Sequence, residues 1–270
     1  MTRCPTWMLV LLLISGCGSV KPAERSMQTQ GRHIPEPLVV RFDDVQDYWL
    51  SEVQQAVLKL FVEERIPATL AVIGGFIGED EPLLRTIRGG GELFEIANHG
   101  WHARNAADGK SLLLSQPLDT SVMEIARAND HLTTLFGVKP RVFIPHQFEL
   151  PSELPARLAP LGFTHVSAYL NSTQGNVLRH VPANVSTSWP ATVGGELRGE
   201  AALFEDIEKA ARASDCVVLV MHPQDFSTAD ERLDPARLAY LRRVMRRIRA
   251  DSTNYAMLHL GRVSAPNSER

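Results

Sequence analysis

From Leu38 onward, short apolar runs alternate with longer amphipathic stretches, and this alternation restricts the available folds more than any other feature of the chain. "LVVRF" precedes a helical pattern over 47–65, "ATLAVI" precedes 80–88, and "ELFEIAN" precedes 117–136. The order continues with "RVFIP", a helix at 152–161, "THVSAY", a broken strand near 177–186, a helix at 201–213, "CVVLVMH", a helix at 235–250 and "YAMLHLG". Strand followed by helix, repeated, predicts parallel strands joined by right-handed crossovers. About seven or eight such units over about 230 residues match a distorted (β/α) barrel better than an open doubly wound sheet. No GxGxxG or P-loop pattern follows the first strand, and "GGFIG" at 74–78 and "GGG" at 89–91 read as turns.

A chain of 270 residues, 44% hydrophobic, can bury one large core, and a formal net charge of -3 offers no basic field for nucleic acid. The N-terminus has a different character. Arg3 is followed by "WMLVLLLI" and then small residues, the pattern of a secretory signal peptide, too short for a stable membrane span. "LISGCG" resembles the bacterial lipobox, with Leu13, Ser15 and Gly16 ahead of Cys17. That resemblance implies cleavage before Cys17, a lipid on Cys17 as membrane anchor, and residence in the cell envelope, on the periplasmic side of the outer membrane in a Gram-negative cell. The expected organisation is a signal peptide at 1–16, the lipidated cysteine and a flexible tether at 17–37, a barrel domain at 38–262 and a tail at 263–270. Cys4 is then removed and Cys17 acylated, and Cys216, opening "CVVLVM", reads as a small buried hydrophobe.

The groups that carry chemistry fall where predicted strands leave the core, the face on which barrel enzymes keep their sites. "RFDD" places Asp43 and Asp44 there, "EIANHGWHARN" His99 and His102, "FIPHQF" Pro145, His146 and Gln147, and "MHPQDF" His222 and Asp225. Adjacent carboxylates repel, so Asp43 and Asp44 need a cation or separate roles. Asp47, closer to the first helix, reads as its cap. His131, His165, His180 and His259 sit in no motif and read as structural.

This ordered set resembles the polysaccharide deacetylase family, carbohydrate esterase family 4, over roughly 38–260. The resemblance implies that Asp43 is the catalytic base, that Asp44, His99 and His102 bind one divalent metal, and that His222 is the general acid. Zinc suits two imidazoles and a carboxylate with an open position. A backbone N–H near Gln147 becomes the donor to the developing oxyanion. The implied reaction is hydrolytic removal of acetyl groups, at a C–N amide bond, from an N-acetylated envelope or extracellular polysaccharide.

The motifs also depart from the family pattern. The histidines are spaced H-x-x-H rather than H-x-x-x-H, a spacing that one helical turn could bring to one face. The third motif reads Ile144-Pro145-His146, without the family arginine that steadies the base, for which Arg141 is the candidate substitute. His146 reads either as an added metal ligand or as a groove residue. Ser188-Trp189 stands where the family has Asp-Trp, leaving Asp225 to orient His222. A non-catalytic carbohydrate-binding lipoprotein on the same barrel is the alternative reading. A glycosidase fits less well, because paired carboxylates roughly 5–9.5 Å apart are poorly supplied by adjacent aspartates. Finally, "RLAYLRRVMRRIR" sets Leu238, Leu241, Val244, Met245 and Ile248 on one helix face, with its arginines on the solvated side.

Overall fold

The computed structural model describes residues 34–102, 111–168, 177–188 and 195–264. In chain order the elements are β1 (Glu36–Val45), α1 (Ser51–Glu63), β2 (Ala68–Val72), α2 (Glu81–Gly90), β3 (Phe94–Asn98), α3 (Leu112–Ser115), α4 (Leu118–Phe136), β4 (Val142–Phe143), α5 (Leu154–Leu158), β5 (His165–Val166), β6 (Arg179–His180), β7 (Val185–Ser186), α6 (Glu200–Ala213), β8 (Val217–Met221), α7 (Pro235–Ala250) and β9 (Tyr255–Leu258). All ladders between these strands are parallel, in the order β6-β5-β4-β3-β2-β1-β8-β7, with β9 added to the first residues of β1. Among the described residues no ladder joins β6 to β7, so the barrel expected from the sequence is a curled, incompletely closed sheet. The broken strand near 177–186 is two short strands, β6 and β7.

Strand periodicity divides the core in two. Leu38, Val40 and Phe42 of β1 pack outward with the helices, where Phe42 meets Phe61 of α1 edge to face at 6.2 Å. Val39 faces the concave side with Ala71, Ala97, Ile144, Val218 and Val220. Both faces of the sheet are therefore covered, which explains near-continuous apolar runs in place of strict alternation. Cys216 lies on the concave side, 6% exposed, and burial pushes its thiol up to about 12, so it behaves as the inert hydrophobe expected.

Two expectations change in detail. The first helix begins at Ser51 rather than near 47, and Asp47 does not cap it; its carboxylate accepts from the N–H groups of Gly78 and Glu79, at 2.6 and 2.5 Å, and so ties down the loop after β2. Residues 47–50 form a bend ending in left-handed Leu50, which keeps Asp47 out of the capping position. The loop after β2 also docks on the segment after β3. Gly74 and Gly75 donate to the carbonyls of Gly100 and Trp101, and a Cβ on Gly75 would collide with the Trp101 carbonyl and stand 2.9 Å from its indole nitrogen.

Helix α7 buries Tyr240, Leu241, Val244, Met245 and Ile248 and turns its arginines outward. They are neutralised by neighbouring helices: Glu64 accepts from Arg242 at 2.7 Å and Arg246 at 2.8 Å, and Glu200 lies 3.5 Å from Arg243 and 3.7 Å from Arg247. Among the described residues no helix is long and apolar enough to cross a membrane. Hydrogen bonds from Arg246, opposed by desolvation and reinforced by Arg242, lower the Glu64 carboxyl from 4.5 to about 2. A depressed carboxyl stabilises the fold fully above its unfolded value, and that contribution is lost as pH falls through the folded value. Glu64→Gln should therefore melt below wild type at about pH 6, with the difference closing as pH drops from 4.5 to about 2 in thermal melts. A difference that does not narrow over this window would contradict the assignment.

Candidate active site

The concave side admits every second strand residue, and at the mouth the last inward positions along β1, β3 and β8 carry polar groups. On β1 the inward series is Val39, Arg41, Asp43; beyond β3 it ends at His99; beyond β8 it ends at His222. Asp44 would point the other way in a regular strand. The register of β1 on β2 slips between Phe42 and Val45 and Asp44 takes φ 59°, and this irregularity turns the second carboxylate to the mouth beside the first.

His99 continues the ladder through its N–H to the Val72 carbonyl. Its ring Nδ1–H donates to the Ile144 carbonyl at 2.7 Å, and Nε2 stands 3.3 Å from Asp44 Oδ1. His146 follows Pro145 in a 3-10 turn whose next residues, Gln147 and Phe148, are both left-handed at φ 61° and 62°. The turn brings His146 Nδ1 to 3.7 Å from Asp44 Oδ1 and its ring to 5.7 Å from that of His99. The ligand atoms of Asp44, His99 and His146 all lie within 4.8 Å of one another. Two imidazoles and a carboxylate form a donor set suited to zinc, and the bond from His99 Nδ1 to Ile144 leaves Nε2 as the ligand atom. Burial raises the Asp44 carboxyl, but hydrogen bonds from His146 and His99 hold it well below the usual range. Burial lowers the His99 imidazole, and Asp44 and Asp43 together raise it above the ordinary value.

His102, expected to join Asp44 and His99, lies outside this cluster. Gly100, at φ 86°, turns the chain just past β3, so residues 99–102 never form the helical turn that would align the two rings. His102 Nε2 instead faces Glu124 of α4 at 3.8 Å, and its ring packs beside Phe76 and Trp101.

Asp43, 1% exposed, is gripped by Arg41 of the same strand: Nε donates to Oδ1 at 2.8 Å and Nη2 to Oδ2 at 2.5 Å. Burial pushes the Asp43 carboxyl up, but the charge and hydrogen bonds of Arg41, with His99 and His222 nearby, hold it below its ordinary value. Arg141 does not perform this task. It is an exposed residue ahead of β4, and the site lies beyond the far end of that strand. Sequence reasoning missed Arg41, together with Ser167 and Phe148, which touch its guanidinium. The signal was present in "RFDD", since residues two apart in a strand share a face.

His222 Nε2 lies 3.9 Å from Asp43 Oδ2, and its ring meets Phe148 edge-on at 6.4 Å. Asp225 does not orient that ring. Its oxygens accept from Thr187 Oγ1 at 2.6 Å, Ser188 Oγ at 2.5 Å and the backbone N–H of His222 at 2.9 Å, while His222 Nδ1 has no hydrogen-bond partner among the described residues. The short Pro223–Phe226 turn forces this arrangement, because it folds the Asp225 carboxylate back onto the main chain. Trp189 and Cys17 fall outside the described residues. His131, His165, His180 and His259 each have a ring nitrogen bonded to a backbone carbonyl, as expected of structural histidines.

The fold and this site define a class. A family model for polysaccharide deacetylase matches residues 31–166, and the chain belongs to that family. The matched span contains Asp43, Asp44, His99 and His146 and stops before His222. A candidate polysaccharide deacetylase from Mycobacterium smegmatis is similar in structure, with a TM-score of 0.62 at 19% identity over 83% of this chain and 88% of that one. A family 4 carbohydrate esterase from Streptomyces lividans, in complex with acetate, has a TM-score of 0.57 at 17% identity, covering 86% and 98%. A pseudoenzyme of the same family from Bacillus anthracis has a TM-score of 0.56 at 12% identity, covering 84% and 65%. No curated protein sequence matches the chain.

Proposed function

We propose that this protein is a metal-dependent hydrolase that removes acetyl groups from an N-acetylated envelope or extracellular polysaccharide. The observation that carries this reading is the convergence of Asp44, His99 and His146 within 4.8 Å, flanked by Asp43 and His222. A divalent cation held by these three residues, most naturally zinc, would lower the pKa of water and polarise the acetyl carbonyl. Asp43, ionised and outside the ligand set, accepts the proton of the attacking water. His222, across the mouth, protonates the departing amine through Nε2. Gln147, at the left-handed turn after His146, offers its N–H as the oxyanion donor.

On this reading His146→Ala should weaken zinc binding by more than about 100-fold, whereas His102→Ala should leave stoichiometric zinc in place; elemental analysis of the dialysed proteins distinguishes them. The reverse pattern would return His102 to the ligand set. Asp43→Asn should retain zinc while acetate release from acetylated glycans falls about 100-fold or more. It should also lose about 3 kcal/mol of stability in denaturant titration, since Asn presents an N–H group to a buried guanidinium. His222→Ala should slow turnover without loss of metal, and the two losses should not add fully. Metal loss in Asp43→Asn would make Asp43 a ligand instead.

The alternative is a carbohydrate-binding relative without catalysis, favoured by one observation: the His222 ring lacks an orienting carboxylate among the described residues. Wild type that binds zinc and glycan but releases no acetate would establish it. We further propose attachment to the envelope membrane through a lipid on Cys17. Cys17→Ala should abolish labelling by a radioactive fatty acid, and unchanged labelling would refute the anchor.

A further inference from the structure

We propose that Arg41 is the positioning residue for the base, its guanidinium fixed beneath Asp43 by Ser167 and Phe148; the assignment rests on the deacetylase reading above. Arg41 and Asp43 occupy successive inward positions of β1, so strand geometry alone stacks the guanidinium one layer below the carboxylate. The fork uses Nε and Nη2 on the two oxygens, which fixes the carboxylate plane as a single hydrogen bond would not. Nη1 is used elsewhere, donating to Ser167 Oγ at 2.8 Å just past β5, and the ring of Phe148 lies against the guanidinium with its centroid 4.6 Å from Cζ. The arginine is held from three elements and has no freedom to swing.

A purely structural role accounts poorly for this arrangement. Arg41 is 0% exposed among Val39, Val218 and Val220, where a Leu or Met could pack without desolvating a charge. Replacing a buried ion pair by apolar side chains is often neutral or stabilising. Retaining the charge makes sense if Asp43 must be held in one orientation. Each carboxylate oxygen keeps a second lone pair after the fork is made, and Oδ2 lies 3.9 Å from His222 Nε2 at the mouth. Phe148 adds a link to the metal side, because it lies two residues beyond His146 in the left-handed turn that delivers that ring. One guanidinium thus sets the base relative to the His146 loop.

The test uses the zinc-loaded protein, a chromogenic acetylated chito-oligosaccharide and four variants. Arg41→Met should lower kcat by about 100-fold or more with KM and zinc content unchanged, and Arg41→Lys should recover part of the loss, since lysine supplies the charge without the fork. Ser167→Ala, which removes only the brace, should lower kcat several-fold. Arg141→Ala should match wild type. Unchanged kcat in Arg41→Met, or a loss confined to KM or zinc, would overturn the proposal. If Arg41→Met does not fold, Arg41→Lys and Ser167→Ala decide: reduced kcat at constant KM supports the assignment, and wild-type kcat in both refutes it. Should wild type release no acetate, the hydrolase reading fails by itself, and crystal structures of wild type and Arg41→Lys decide the inference. A reoriented Asp43 carboxylate supports it, and an unchanged one ends it.

Discussion

Inside a curled parallel sheet a side chain can enter only at every second strand position, and that rule spaces Asp43, His99 and His222. Asp43 is the last inward residue of β1, above Arg41 and then Val39, and His99 and His222 take the next inward positions just past β3 and β8, above Ala97 and above Val220 and Val218. The apolar layer fixes their height, since the central strands cannot slide by one residue without exchanging this interior for the face that packs on the helices. Asp44 is the exception, and it needs both a register slip and a left-handed backbone to reach the mouth.

Two neighbouring carboxylates at one strand end would repel if left alone, and the fold separates them electrostatically. Asp43 is neutralised from below by a guanidinium, and Asp44 is flanked from the side by two imidazoles. Both stay ionised, but with different neighbours and therefore different chemistry: one carboxylate is committed to a hydrogen-bonded cation of the protein, the other sits where an external cation would compete with protons for the same histidines. The same separation fits a deacetylase better than a glycosidase, since neither carboxylate is an isolated acid.

Much of this was legible in the residues alone. The strand–helix alternation shows the parallel sheet because buried strands and amphipathic helices have different periods, and the placement of Asp43, Asp44, His99 and His222 at strand ends follows from where the apolar runs stop. His102 was less legible. Spacing can align two rings only if the backbone between them is helical, and whether Gly100 continues a turn or reverses it depends on contacts with Gly74 and Gly75, distant in sequence. His146 was visible as a histidine at a strand end, but its approach to Asp44 depends on two consecutive left-handed residues that carry no glycine signature. Asp225 shows a similar limit: the carboxylate is near His222, as its position suggests, yet the hydroxyls of Thr187 and Ser188, just past β7 and far away in sequence, claim its oxygens.

The close approach of Gly75 to Trp101 has a consequence for how substitutions in this protein will be interpreted. Any side chain larger than hydrogen at position 75 pushes on the segment that leads out of His99, two residues away, so the disturbance reaches an imidazole of the candidate site without touching it. A survey of tolerated replacements would score Gly75 as intolerant as the chemical residues themselves. Intolerance there would report the space needed by a neighbouring main chain, and would be mistaken for chemistry by any method that equates the two.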